Sequence, residues 1–284
     1  MDGARSERDV LDAIRNWAER RADVRTVLLT GSRAYPDHRP DILSDYDLEV
    51  FVTDVLPYVS DDDWVRELGQ VMVRWPSSPG PTFDEDWVTQ LVLYNDGVRI
   101  DFQITALPPG SGESLDDGYR VLVDKDGAAR RLSRPTFRRH SARMPSHEEL
   151  TTLLETFWWD IVYVAKALHR REWNAARHAM EVTVRFELLV PLLEAYACRR
   201  HGSIRSGPHG RRLHPFLEPE LGELYDRTFP GAGVENGWRA MWAAVELVRR
   251  VARELTDAVG CRYPVEVDRE VSAYLRWIEE LSSS

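Results

Sequence analysis

Residues 30–54 read TGSRAYPDHRPDILSDYDLEVFVTD, and this stretch decides the fold. Two carboxylates, Asp45 and Asp47, stand one residue apart at the mouth of an apolar run. A Gly-Ser pair, Gly31 and Ser32, closes another apolar run just upstream. In a strand, residues i and i+2 share a face, so the two carboxylates converge. Like charges held close together in a partly buried site repel strongly, and the arrangement is unfavourable unless a cation offsets it. Mg²⁺ suits such a pair: it takes carboxylate oxygens, keeps some waters and binds nucleotide phosphates at its remaining positions.

A third carboxylate, Asp101, lies in VRIDFQITAL between apolar Ile100 and Phe102. On the same sheet face it either completes the metal site or accepts the proton of an attacking hydroxyl. Gly31 lets the backbone approach a phosphate closely, and Ser32 offers a hydroxyl and an N–H. Arg33 adds a fork of donors suited to phosphate oxygens. An isolated D-x-D or Gly-Ser is usually no more than a turn. Here a strand, Gly-Ser-Arg, a twelve-residue gap after Ser32, a second strand opened by Asp-Tyr-Asp and a later strand bearing Asp101 follow in order. That conjunction predicts a nucleotidyltransferase-type metal site, with Asp45, Asp47 and Asp101 as its acidic set.

Outward from this stretch, the first half of the chain alternates short β-type runs with turn signals. Strands are expected at residues 24–30, 46–53, 89–94, 98–105 and 119–123, with Asn95-Asp96-Gly97 as a hairpin turn between the third and fourth. Residues 62–73 have helical periodicity, and a Pro/Ser/Gly loop is expected over 76–82. From Ser146 the chain reads as helices, opened by a capping box with Glu149 three residues on. Helices are expected at 150–171, 173–201, 234–259 and 265–281, with Pro191 kinking or splitting the second and a long loop over 202–233. The fold class is therefore α+β: a mixed-sheet domain over residues 1–145, followed by a helical bundle over 146–284.

The chain has 284 residues, 43% hydrophobic and 30% charged, which describes an ordinary globular protein and excludes a disordered one. No apolar run approaches a membrane span, and the first twenty residues read as an amphipathic helix rather than a leader. A cytoplasmic protein is expected, with a monomer as the working expectation. Cys198 and Cys261 match no disulfide or zinc pattern. The formal charge of −10 argues against a stable nucleic-acid partner and is compatible with a cationic substrate.

The pattern GSRAYPDHRPDILSDYDLEVFV, with RIDFQI around Asp101 and FWWDIVYVAKALHRREWNAARH at 157–178, resembles the bacterial aminoglycoside 6-adenylyltransferases, the streptomycin-modifying branch of the nucleotidyltransferases. The resemblance runs over residues 11–281 and departs from the family in the Arg- and Pro-rich segment 199–236, which puts the acceptor's identity in question. It implies an N-terminal nucleotidyltransferase domain, ATP as co-substrate with Mg²⁺, and a cationic aminoglycoside such as streptomycin modified at its 6-hydroxyl. An enzyme acting on another small or macromolecular acceptor, and a non-catalytic nucleotide-binding module, are the alternatives.

On the first long helix, Phe157, Ile161, Val164, Ala165 and Leu168 form an apolar face at 3–4 spacing. Lys166 lies on another face, and its match to the family implies a role on the β- and γ-phosphates. Glu155, Trp158, Trp159 and Asp160 are the candidates for the acceptor pocket, because a guanidinium-bearing sugar stacks on an indole and pairs with a carboxylate. For the tryptophans a core role is equally expected. Arg177, Glu181 and Arg185, four apart, read as an ion network on a helix surface.

Overall fold

The computed structural model describes residues 5–35, 40–84, 86–110, 114–138 and 141–283, and divides into two compact units, Met1–Arg139 and His140–Ser284. The division falls a few residues before the expected one at 145. The backbone of Ala142 donates to Ile204 O at 2.9 Å, which ties the segment ahead of the first long helix to the helical unit.

In the first unit, helix α1 (Glu7–Arg20) precedes strands β1 (Val24–Thr30) and β2 (Tyr46–Val52). Two short helices follow, α2 (Leu56–Ser60) and α3 (Asp63–Arg66), and then strands β3 (Val71–Asp84), β4 (Trp87–Tyr94), β5 (Arg99–Thr105) and β6 (Arg120–Asp124). They form one six-stranded sheet in the order β3-β4-β5-β2-β1-β6. It is mixed: β2 and β5 run parallel, and the other neighbours are antiparallel. The turn at 95–97 closes the β4–β5 hairpin through Tyr94 N to Val98 O at 2.8 Å.

Two expectations fail here. The periodicity over 62–73 yields a single helical turn, because β3 takes over at Val71. The Pro/Ser/Gly stretch 76–82 is not a loop but part of β3, an edge strand whose register against β4 shifts between Trp75 and Gly80. At an edge, a proline's missing donor and a glycine's freedom are absorbed by such irregularities.

One face of the sheet is covered by α1. Val10, Ile14 and Trp17 bury themselves with Val27, Leu29, Leu48 and Val50. Trp17, Trp64 and Phe102 pack ring on ring at 5.0–6.0 Å, which locks α1 and α3 to β5.

The second unit is helical. Helix α4 (His147–His169) starts at the expected capping box, with Ser146 accepting from Glu149 N. After α5 (Trp173–His178), residues Ala179–Leu189 wind as a π-helix into α6 (Val190–His201). Pro191 neither splits nor ends this run. The run reaches it in the wider i→i+5 pattern, with Val190 N bonded to Arg185 O, and Pro191 falls in the first turn of α6, where a missing donor is tolerated. The stretch 202–233 is not all loop: α7 (Pro219–Arg227) lies inside it, begun by a proline at its first turn. Helices α8 (Val234–Val259) and α9 (Val265–Ser283) complete the bundle.

The apolar face read on α4 is the buried one. Of the surface network read at 177–185, the Glu181–Arg185 pair forms, but Arg177 donates to Pro230 O instead, and Arg185 is fully buried. Its Nε donates to Glu181 at 2.9 Å, its other nitrogens donate to the hydroxyl and carbonyl of Thr228, and Phe229 stacks 3.7 Å below the guanidinium. The arginine thus fastens the π-helix to the end of α7. Among the described residues, no helix is long and apolar enough to cross a membrane.

Candidate active site

Sheet register assembles the acidic set. Asp47 on β2 is paired on one side with Thr30 of β1 and on the other with Asp101 of β5. Residues opposite one another on neighbouring strands project to the same face, so the carboxyls of Asp47 and Asp101 stand side by side. Asp45 precedes the strand by one residue and adds its charge to the group. Burial first, then Asp101 and then Asp45, push the Asp47 carboxyl up to about 6, against the opposing pull of Arg99 and Arg33.

The turn after β1 closes over this group. Residues Gly31–Arg33 make one 3₁₀ turn, entered by Gly31 at φ 62°. A Cβ at this position would stand 2.0 Å from Asp47 Oδ2, so the backbone lies directly against the carboxylate. Only glycine satisfies both the left-handed φ and that approach. Ser32 follows, half-buried, its hydroxyl making no hydrogen bond among the described residues.

Arg33 does not take the place expected of it. Its side chain is 5% exposed, and its guanidinium points inward. Nε donates to the carbonyls of Ser44 and Asp45 at 3.2 and 3.1 Å, and Nη2 to those of Asp41 and Ser44 at 3.2 and 2.8 Å. Nη1 reaches Glu7 Oε2 at 3.3 Å, and the plane stacks 3.9 Å from the Tyr46 ring centroid. With its donors spent on carbonyls, Arg33 braces the segment that delivers Asp45 and Asp47 and offers no fork to a phosphate.

A residue that the motif reading passed over sits among the carboxylates. Arg99 donates to both oxygens of Asp101, Nε to Oδ1 at 2.8 Å and Nη2 to Oδ2 at 2.7 Å, and its Nη1 is 3.6 Å from Asp45 Oδ2. The signal was available: Arg99 and Asp101 are two apart on one strand, the same rule that joined Asp45 to Asp47. The donor set is what a hard divalent cation takes, three carboxylates with a hydroxyl and a close backbone turn alongside. Their oxygens are not drawn together as they stand. Among the described residues, the carboxylates gathered within 4.8 Å of one another are those of Asp61, Asp62 and Asp63, with Asp62 half-buried and engaged by Arg66 and Arg74.

In the helical unit, α4 carries the other expected residues and separates them. Trp158 is 1% exposed and packs edge-on against Phe157 at 5.2 Å, so it belongs to the core and not to an acceptor pocket. Its neighbour Trp159 is 69% exposed and meets Tyr163 edge-on at 6.4 Å; Glu155 is exposed one turn before it. Asp160 and Lys166 line a cavity of about 490 Å³ with Tyr163, Arg170, His178 and Thr183. Burial, then Glu187, push the Asp160 carboxyl above its ordinary value. The Lys166 ammonium lies 5.9 Å from the Tyr274 ring centroid and makes no ion pair among the described residues. The arginines of 199–212 give little support to a phosphate-bearing acceptor, since Arg199 and Arg200 are paired with Glu254 and Glu218.

Comparison with known proteins places the chain in a family. Residues 4–278 match the family model described as streptomycin adenylyltransferase. An aminoglycoside 6-adenylyltransferase of Bacillus subtilis is 26% identical over 281 residues, covering 96% of this chain and 98% of the relative. One from Campylobacter jejuni is 27% identical over 279 residues, 95% of each. The solved structure of an aminoglycoside 6-adenyltransferase from Bacillus subtilis aligns with 97% of this chain and 99% of that one, with a TM-score of 0.47 and 18% identity.

Proposed function

The chain belongs to the streptomycin adenylyltransferase family, and from that premise we propose that it transfers the adenylyl group of ATP to a hydroxyl of an aminoglycoside, with the 6-hydroxyl of streptomycin as acceptor. The observation that carries the reading is the register pairing of Asp47 with Asp101 beneath the Gly31 turn. It gathers carboxylates where their mutual repulsion serves no structural end and where a metal–nucleotide complex would relieve it.

In the proposed reaction the acceptor hydroxyl oxygen bonds to the α-phosphorus of ATP. The bond from that phosphorus to the bridging oxygen breaks, and pyrophosphate leaves with the electron pair. Mg²⁺ held by this site would supply neutralisation of the phosphate charge. Asp45 and Asp47 are its proposed ligands, and Asp101 serves either as a further ligand or as the base that takes the hydroxyl proton. Gly31 brings its backbone to the phosphates, Ser32 offers its hydroxyl, and Arg33 keeps the carboxylates in place from behind. Lys166 carries a charge suited to departing pyrophosphate and unpaired among the described residues, an assignment resting on its match to the family pattern. Trp159 with Glu155 and Asp160 offers aromatic surface and negative charge to a cationic sugar. Orientation and charge neutralisation are the protein's contributions to such a transfer, each worth several kcal/mol.

The test is pyrophosphate release from ATP and Mg²⁺ with streptomycin added or omitted, alongside Asp47→Asn. Streptomycin-dependent release that disappears in the variant supports the transfer and the acceptor together. ATP binding that needs Asp47, without release on adding streptomycin, keeps the metal site and moves the search to another hydroxylated acceptor.

A further inference from the structure

Arg99 and Asp101 lie two apart on β5, so strand alternation sets their side chains on one face. The guanidinium grips Asp101 fork to fork, using both carboxylate oxygens. At the same time it reaches toward Asp45 across the row, 3.6 Å away. Asp47 stands in register beside Asp101. A positive charge therefore already occupies the position from which the acidic group can be neutralised, and the oxygens it holds are those a divalent cation needs. This accounts for the open arrangement of the three carboxylates. The arginine side chain is itself 43% exposed, and leaving Asp101 would cost it little packing.

We propose that Arg99 is the resident counter-cation of this site, holding Asp101 while no divalent cation is bound, competing with that cation for the carboxylate, and turning its freed fork to the triphosphate once displaced. The proposal rests on the metal–nucleotide reading of the site given above. Two cations cannot share the same carboxylate lone pairs, and close approach of the second is opposed by the charge of the first. Arginine suits both halves of the exchange, because its planar fork fits carboxylate and phosphate oxygens alike, whereas lysine offers only a point charge. The pair is partly exposed, so its hold is modest and the exchange is reversible. Arg99 thus acts in two ways: it sets the carboxylates' readiness for metal, and once displaced it binds the triphosphate.

The experiment measures Mn²⁺ binding to the full chain without nucleotide, by electron paramagnetic resonance of the free ion, in wild type, Arg99→Gln, Arg99→Lys and Asp47→Asn. Arg99→Gln is expected to bind Mn²⁺ on the order of five-fold more tightly than wild type. Its KM for ATP is expected to rise in the same preparation, and Arg99→Lys to fall between the two in both measurements. A merely structural arginine would, on removal, weaken metal and nucleotide binding together, so the opposite signs are diagnostic. Asp47-dependent Mn²⁺ binding in wild type that is equal or weaker in Arg99→Gln overturns the counter-cation role alone. Loss of any Asp47 dependence in all four proteins overturns the metal site itself, and this proposal with it.

Discussion

Gly31 backs directly onto Asp47: a Cβ at position 31 would stand 2.0 Å from Asp47 Oδ2 and 2.7 Å from its Cγ. The turn after β1 and the carboxylate on β2 are therefore one fitted unit. Neither can change without moving the other.

Gly31→Ala is accordingly expected to cost about 1–2 kcal/mol through its left-handed φ alone and to displace Asp47 as well. A fall of at least about 100-fold in kcat/KM for ATP should accompany it, as misplacement by about 1 Å produces elsewhere. Steady-state kinetics beside a thermal melt would decide. A variant with wild-type kinetics would mean that the close packing of turn on carboxylate has no part in nucleotide binding.

The raised carboxyl of Asp47 predicts a pH signature in the metal-free protein. Held up to about 6, it keeps a proton in the folded chain that the unfolded chain has already released. The stability it contributes is full below the ordinary carboxylate range and is lost as pH rises through about 6. With chelator present, Asp47→Asn should raise the Tm at about pH 7.5 by roughly 2–4 °C, the shift expected for about 1 kcal/mol. The same comparison near pH 4.5 should show a clearly smaller gain. An equal gain at both would rule out a penalty on the ionised form.

Arg33 is a brace, and its removal should register as stability before it registers as substrate affinity. Arg33→Ala strips donors from the carbonyls of Asp41, Ser44 and Asp45 and leaves them partly buried. A loss of about 2–4 kcal/mol is expected in urea denaturation. Arg33→Lys should recover only part of it, since a compact ammonium cannot span all three carbonyls as the guanidinium fork does. A raised KM for ATP at undiminished stability would instead assign the guanidinium to phosphate.

Trp158 and Trp159 should behave as opposites. Trp158→Ala opens a cavity in the helical core and is expected to cost about 3–5 kcal/mol. Trp159→Ala removes an exposed ring, should change stability by less than about 0.5 kcal/mol, and should raise the KM for streptomycin several-fold with kcat little altered. If the acceptor KM stays at its wild-type value, Trp159 makes no contact with the aminoglycoside.

Much of this protein was legible in its sequence because periodicity is a local property. The apolar runs that became β1, β2, β4 and β5, the turn at 95–97, the capping box at Ser146 and the buried face of α4 all follow from spacing and from turn or cap chemistry within a few residues. The expectation that Asp45 and Asp47 converge has the same local basis, the two-residue repeat of a strand, but Asp45 stands one residue ahead of β2 and the carboxylate oxygens are not drawn together. What the tertiary structure decided concerns side chains whose partners lie far along the chain. Helical spacing says that Trp158 and Trp159 face different ways, but only packing against the other helices buried the first and left the second exposed. Composition marks Arg33 and Arg185 as polar, yet both are interior, because Glu7 and the 41–45 carbonyls meet one and Glu181 and Thr228 meet the other. The Pro/Ser/Gly stretch within β3 became a strand because β4 was there to pair with it. Local sequence sets which groups can share a face; the free energy of burying a charge or a backbone amide depends on partners supplied from elsewhere, and those exist only once the chain has folded.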